Sequence, residues 1–109
     1  MSALLLEYER AGGVAALRDR IVIEEDGRAR ISRRGASRDL ALDAALLVRI
    51  RERLAAANLP ALPPESPAEG ADLMTYVISF QGRAVRASDT AVPESLRPLL
   101  DLLNGILDR

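Results

Sequence analysis

Alternating apolar and polar positions predict three strands in the first third of the chain. In the first of them, Leu6 and Tyr8 point to one side, while Glu7 and Glu9 point to the other. A period of two residues with one apolar side is typical of a half-buried strand. The same period recurs twice more, so we predict strands at residues 4–10, 17–24 and 28–33.

The turn between the second and third predicted strands follows from how their side chains would pair. A two-residue turn ending at Gly27 would place Ile21 opposite Ser32 and mix apolar with polar residues on one face. A three-residue loop over residues 25–27 instead pairs Ile21 with Ile31. It also puts Gly27 at the loop position that requires a left-handed backbone. We therefore predict the three-residue loop.

Two later segments carry apolar residues at helical spacing. The first follows Asp43, whose side chain can cap a helix N-terminus, and it ends at Asn58, shortly before a proline. The second carries a stripe of leucines. Because Pro98 does not fit a helix interior, we predict one tight turn near residues 94–96 and a regular helix from about Arg97.

Two more strands are predicted between the helices, at residues 73–80 and 83–88. The first of this pair has the clearest alternation in the chain. A two-residue turn ending at Gly82 joins the two strands, since this register places Ile78 opposite Val85 on the apolar side.

The remaining segments are predicted to be connections. Residues 34–38 form a polar connection, and Leu40 and Leu42 either extend an edge strand or lead into the first helix. Residues 60–70 contain four prolines, which predicts a stiff and exposed loop.

The length and the order of these elements predict the fold class. A chain of 109 residues has the size of one domain. We therefore predict a single α+β domain over residues 1–109. Its mainly antiparallel sheet has about five strands, in the order β-β-β-α-β-β-α, with two helices packed on one face.

The composition lacks most side chains that carry chemistry. The chain contains no cysteine, no histidine and no lysine, and all 15 basic residues are arginine. A thiolate nucleophile, an imidazole base or metal ligand and a Schiff-base lysine are therefore excluded. We expect no enzymatic activity, no metal site and no cofactor.

Charge and hydropathy narrow the range of partners. The formal net charge is −1, the signs are interspersed, and the aromatic residues are two tyrosines and one phenylalanine. This pattern offers neither a basic stripe nor a stacking platform for nucleic acid. No apolar run has the length of a membrane span or of a signal peptide. We expect a cytoplasmic monomer or homodimer with a protein partner, and neither nucleic acid nor a membrane as ligand.

Three segments resemble landmarks of one protein family. Residues 8–16 combine a strand, a basic residue and the pair Gly12-Gly13. Residues 70–78 have an acidic residue shortly before a tyrosine-bearing strand, and residues 89–100 read DTAVPESLRPLL. In this order and spacing the segments resemble the emfourin-type family, and the resemblance covers nearly the whole chain.

The characterised founders of that family are protein inhibitors of thermolysin-like zinc metallopeptidases. The resemblance implies an inhibitor, or an inhibitor-like binding protein, that occludes the active-site cleft with a rigid loop. It places the partner-binding loop at Gly12, Gly13 and Val14. It also marks three family landmarks that we expect to be structural, namely Asp72, Tyr76 and Asp89.

The alternative hypothesis is a non-inhibitory protein–protein interaction module of unknown partner. Such a module would bind another protein, or a second copy of itself, through a sheet edge or through the leucine-rich C-terminal helix. The two hypotheses need different surfaces. The inhibitor needs an ordered loop at Gly12 and Gly13, whereas the module gains support from a contiguous exposed leucine patch on the helix.

Overall fold

The computed structural model describes residues 3–13, 17–70 and 73–109. In this part of the chain, seven strands form one sheet, and an α-helix follows the fourth strand and the seventh. The strands are β1 (Leu4–Gly12), β2 (Leu17–Glu24), β3 (Arg28–Arg33), β4 (Ala36–Ala41), β5 (Glu65–Ser66), β6 (Met74–Phe80) and β7 (Arg83–Ser88), and the helices are α1 (Ala44–Ala57) and α2 (Arg97–Leu107).

The sheet confirms the α+β class and corrects the number of strands. Its order is β4-β3-β2-β1-β6-β7-β5. Every neighbouring pair is antiparallel except β5 and β7, which run parallel. The prediction of about five strands is too low, because β4 and β5 join the sheet at its two edges.

Most of the predicted polar connection lies in β4, so that prediction is wrong. The backbone reverses within two residues, since Arg34 and Gly35 adopt left-handed φ values of 52° and 78°. Nearly all side chains of β4 are exposed, so the strand lacks the apolar alternation by which its neighbours are recognised. Leu40, for which two interpretations were open, lies in this edge strand opposite Ala29.

β5 lies within the segment predicted to be a stiff loop. It joins the sheet through its backbone, and Arg86 N donates a hydrogen bond of 2.9 Å to Pro64 O. Glu65 and Ser66 run parallel to the second half of β7, opposite Arg86 and Ala87. A strand of two residues is too short to show a side-chain period, so the pattern of polar and apolar positions did not indicate it.

Both hairpin registers predicted from side-chain pairing are confirmed. In the first hairpin, Ile21 lies opposite Ile31, and Gly27 has a φ of 95°. In the second hairpin, Ile78 lies opposite Val85 after a two-residue turn. One face of each strand meets the core, so a shift by one residue would turn these side chains to solvent.

The predicted ends of the helices are also confirmed. Leu46 N donates a hydrogen bond of 2.8 Å to Asp43 Oδ1, which caps α1. Asn58 ends this helix with a left-handed φ of 50°. A 3-10 turn at Glu94–Leu96 precedes α2, which begins at Arg97.

The core joins the inward positions of five strands to the buried sides of both helices in one cluster. Fully buried members of it are Leu6, Tyr8, Ile21, Ile50, Ile78 and Leu103. Most alternate positions on β1, β2 and β3 carry charged side chains instead. Arg30 and Asp39, for example, form an exposed ion pair of 2.8 Å between β3 and β4.

Candidate functional site

The predicted contact loop begins at the end of β1, where the backbone requires glycine at two successive positions. Gly12 and Gly13 have φ values of 107° and 77°, which other residues rarely adopt. A Cβ atom on Gly12 would lie only 2.6 Å from Leu73 O. Gly13 N donates a hydrogen bond of 3.4 Å to the same oxygen. The start of the loop is thus held against the segment before β6. Val14 lies outside the described residues.

Two of the family landmarks, Tyr76 and Asp89, contact each other. The Tyr76 hydroxyl donates to Asp89 Oδ1 at 3.2 Å, and its ring stacks on Tyr8 with centroids 6.4 Å apart. Burial and the neighbouring carboxylate raise the pKa of Tyr76, since both disfavour the phenolate. These contacts tie the 3-10 turn Asp89–Ala91 to β6. Asp72 lies outside the described residues.

The sheet brings the glycine loop and the tyrosine-bearing strand together. β1 pairs with β6 so that Gly12 lies opposite Met74 and Arg10 lies opposite Tyr76. The two segments are far apart in the sequence, and only the pairing of β1 with β6 makes them neighbours. The start of the contact loop and the start of β6 therefore occupy one end of the sheet.

A buried ion-pair cluster beside the loop is the feature that the sequence did not predict. Asp19 is 1% exposed, accepts a hydrogen bond of 2.9 Å from Arg10 Nε and lies 3.5 Å from Arg33 Nε. Arg10 and Asp19 are direct cross-strand partners on β1 and β2, one on each side of the loop. The sequence does contain a signal for this cluster. Asp19 lies two residues before Ile21, so its side chain is on the same face of β2 as the apolar residues. A charged residue on that face is either at a strand end or buried.

The C-terminal end of α2 completes this cluster. Arg10 Nη2 donates to Asp108 Oδ1 at 2.6 Å, and Arg10 Nη1 donates to Asn104 Oδ1 at 3.2 Å. The Tyr8 hydroxyl donates to the same amide oxygen at 2.6 Å. Arg33 Nη1 donates to a backbone carbonyl of α2 at 2.9 Å. The cluster therefore pairs two arginines with two aspartates and joins three strands to α2.

The electrostatics of the cluster follow from burial and pairing. The hydrogen bond from Arg10 lowers the pKa of Asp108. Burial disfavours the charged form of Arg10, but hydrogen bonds to Asp108 and Asp19 outweigh it and raise the pKa of Arg10. Burial raises the pKa of Tyr8 well above its usual range. At neutral pH, Tyr8 is therefore a neutral hydrogen-bond donor and Asp108 a charged acceptor.

The arrangement holds the two strands that flank the loop. Arg10 and Asp19 join β1 to β2 through their side chains, three positions or fewer from the described ends of the loop.

Over residues 3–13, 17–70 and 73–109, no group of three or more His, Cys, Asp or Glu side chains could hold a metal ion. None of the helices in those ranges is long and apolar enough to cross a membrane.

The leucine stripe of α2 belongs to the core and does not form a docking surface. Leu99, Leu100, Leu103 and Leu107 are at most 5% exposed. Leu96, in the 3-10 turn before the helix, is 1% exposed. These side chains do not make the exposed leucine patch that would favour the interaction-module hypothesis.

Comparison with known proteins leaves the family open. No family model matches the chain, and no curated protein matches its sequence. The resemblance to the emfourin-type family therefore stays a prediction that rests on the three segments named above.

Proposed function

We propose that this chain is a small protein inhibitor of a thermolysin-like zinc metallopeptidase. Gly12, Gly13 and Val14 form the loop that enters the active-site cleft of the peptidase. The observation that carries the proposal is the fixed attachment of this loop. Two successive left-handed glycines and the contact with Leu73 O set the direction in which the chain leaves the sheet.

The residues around the loop support tight binding. A loop loses little conformational entropy on binding when it is already ordered in the free protein. Arg10 and Asp19 hold the strands on its two sides, and Asp108 extends this support to α2. Function in small binding proteins commonly lies on loops that a rigid scaffold positions. A cleft blocked in this way needs no catalytic side chain on the inhibitor.

Residual activity of a thermolysin-like peptidase, titrated with the protein, tests the proposal. We expect a stoichiometric loss of activity with the wild-type protein. Gly13→Ala is the informative variant, because its Cβ would meet only the flexible sulfur end of Met74, at 3.0 Å. The altered backbone preference at residue 13 should redirect the loop and weaken inhibition roughly tenfold. Gly12 is unsuitable for this test, since a Cβ there collides with the backbone of Leu73.

Gly82→Ala is the matched control. Gly82 has a φ of 76°, nearly the value of Gly13, and its Cβ would meet nothing within 4 Å. It lies in the β6–β7 turn, at the other end of β6 from the loop. Both variants should lose similar stability, but only Gly13→Ala should lose inhibition. The proposal is contradicted if folded wild-type protein at micromolar excess leaves the peptidase active, or if both variants lose inhibition equally.

A further inference from the structure

Gly105 is a glycine that the fold does not require. The other six glycines of the chain all have positive φ values and lie in turns or strand ends, whereas Gly105 has a helical backbone inside α2. A Cβ atom at this position would meet no atom within 4 Å. Glycine in a helix interior is less favourable than alanine because it loses more backbone entropy on folding. Neither packing nor backbone conformation explains this residue.

Gly105 lines a surface groove between the two helices. The start of α2 lies against the end of α1, since Ser95 Oγ, just before α2, donates a hydrogen bond of 3.2 Å to Ala57 O. The groove has a volume of about 500 Å³. Its apolar lining consists of Leu46, Pro98, Leu102 and Ile106.

The groove has an excess of positive charge. The side chains of Arg49, Arg53 and Arg109 line it, against one side-chain carboxylate, that of Asp101. Within the part of the chain that the structure describes, the guanidinium groups of Arg49 and Arg53 form no ion pair.

Arg53 is the partly buried arginine of the groove. Its Nε atom is buried and donates no hydrogen bond to any described residue. A buried donor without an acceptor is costly, and native proteins rarely leave one unsatisfied. A molecule bound in the groove would pair with the other guanidinium nitrogens of Arg53, because Nε itself has almost no solvent-accessible surface.

We propose that the groove between α1 and α2 binds an acidic amphipathic peptide segment of a partner protein. Carboxylates of the peptide accept hydrogen bonds from Arg49 and Arg53, because guanidinium groups suit carboxylate geometry. Its aliphatic side chains cover Pro98 and Leu102, the apolar lining residues that are not buried, which a small inorganic anion would leave in contact with water. Gly105 lets the peptide approach the helix backbone closely. This surface is separate from the glycine loop, so the proposal does not depend on peptidase inhibition.

Fluorescence anisotropy with a labelled synthetic peptide tests the proposal. The probe is a twelve-residue peptide design (roughly three helical turns) that carries glutamate and leucine at helical spacing. The same peptide with lysine in place of glutamate is its control. We expect saturable binding of the glutamate peptide that weakens with added salt, and no binding of the lysine peptide.

Three variants locate the binding site on the protein. Gly105→Leu places a side chain in open space within the groove, so it should fold normally and weaken binding at least tenfold. Arg53→Ala should weaken binding about fivefold through the loss of its guanidinium donors. Arg86→Ala is the control, because Arg86 is exposed on β7 and has no ion pair in the described part of the chain. Its affinity should equal that of the wild type, and circular dichroism checks that each variant is folded.

Several results would overturn the proposal. One is equal peptide affinity of Gly105→Leu and the wild type. Another is the absence of saturable binding up to millimolar peptide. A wild-type dimer in sedimentation equilibrium that becomes a monomer in Gly105→Leu would assign the groove to a second copy of the chain, and this outcome also rejects the peptide as its occupant.

Discussion

At the residue scale, Asp19 is the buried charge on which the ion-pair cluster depends. It is 1% exposed and faces two arginines, so its removal leaves positive charge in the interior without full compensation. We expect Asp19→Asn to lower the free energy of unfolding by about 3 kcal/mol. Urea denaturation at neutral pH measures this change.

Asp101→Asn is the control for that substitution. Asp101 is exposed on α2 and forms no ion pair with any residue that the structure describes. Its replacement should change the free energy of unfolding by less than about 0.5 kcal/mol. If both variants lowered the free energy of unfolding by similar amounts, the buried ion pairs of Asp19 would contribute little to stability.

Tyr8 predicts a second residue-scale effect, at alkaline pH. Its pKa in the fold is raised by burial above the value of the unfolded chain, which is about 10. The fold therefore favours the protonated form. The resulting stability is fully present below about pH 10 and is lost as the pH rises above it, because only the unfolded chain then releases the proton. The free energy of unfolding should fall between pH 8 and pH 11 (about one unit above the ordinary tyrosine pKa).

Phenylalanine variants separate the two tyrosines in this effect. Tyr8→Phe should lose less stability between the two pH values than the wild type does. Tyr76→Phe should reduce the loss by a smaller amount, since Tyr76 is only half-buried although its pKa is raised in the same direction. If the wild-type protein had the same urea midpoint at both pH values, the pKa of the Tyr8 hydroxyl would not be raised by burial in the fold.

At the element scale, α2 carries the prediction for Gly105. The backbone at this position is helical and a Cβ meets no atom, so alanine adds helix propensity without a clash. We expect Gly105→Ala to raise the free energy of unfolding by about 0.5–1 kcal/mol, measured as an increase in Tm. A decrease in Tm would show that the glycine has a structural role, and would remove one support of the groove proposal.

The elements also show where reading the sequence succeeded. The strands with one apolar side were predicted because burial on one face imposes a period of two residues. The same reasoning predicted both hairpin registers, as the pairing of Ile21 with Ile31 shows. β4 was missed because an exposed edge strand has no apolar side, and β5 because two backbone-paired residues have no period.

At the scale of the whole molecule, the composition predicts an unusually flat dependence of stability on pH. The chain has no histidine, cysteine or lysine, so no side chain has an ordinary pKa between about 5 and 9. We expect the free energy of unfolding to vary by less than about 0.5 kcal/mol between pH 6 and pH 9. Urea denaturation across this range measures it. A clear slope within the range would require a side chain whose pKa the fold shifts by several units, or an α-amino group, whose ordinary pKa is about 8, that the fold shifts by a smaller amount.

Stability should decline on the acid side of this range. The pKa of Asp108 is lowered by Arg10, so its contribution is present above the pKa of an unfolded aspartate, about 4, and is lost as the pH falls below it. Asp108→Asn should reduce this acid-induced loss. If the variant and the wild type lost equal stability between pH 5 and pH 3 (about one unit either side of that ordinary pKa), the ion pair with Arg10 would not be stabilising.

The sequence by itself determined the α+β class, the pairing within both hairpins, the ends of the helices and the lack of most catalytic side chains. Each of these depends on local rules: a period of two or 3.6 residues, a turn that needs glycine, a capping side chain or a residue count. Only the tertiary structure decided that Asp19 meets Arg10 and Arg33, that Gly12 lies against Leu73 and that Gly105 opens on a groove with Arg53. These contacts join residues from separate elements, and no local pattern specifies which elements become neighbours in space.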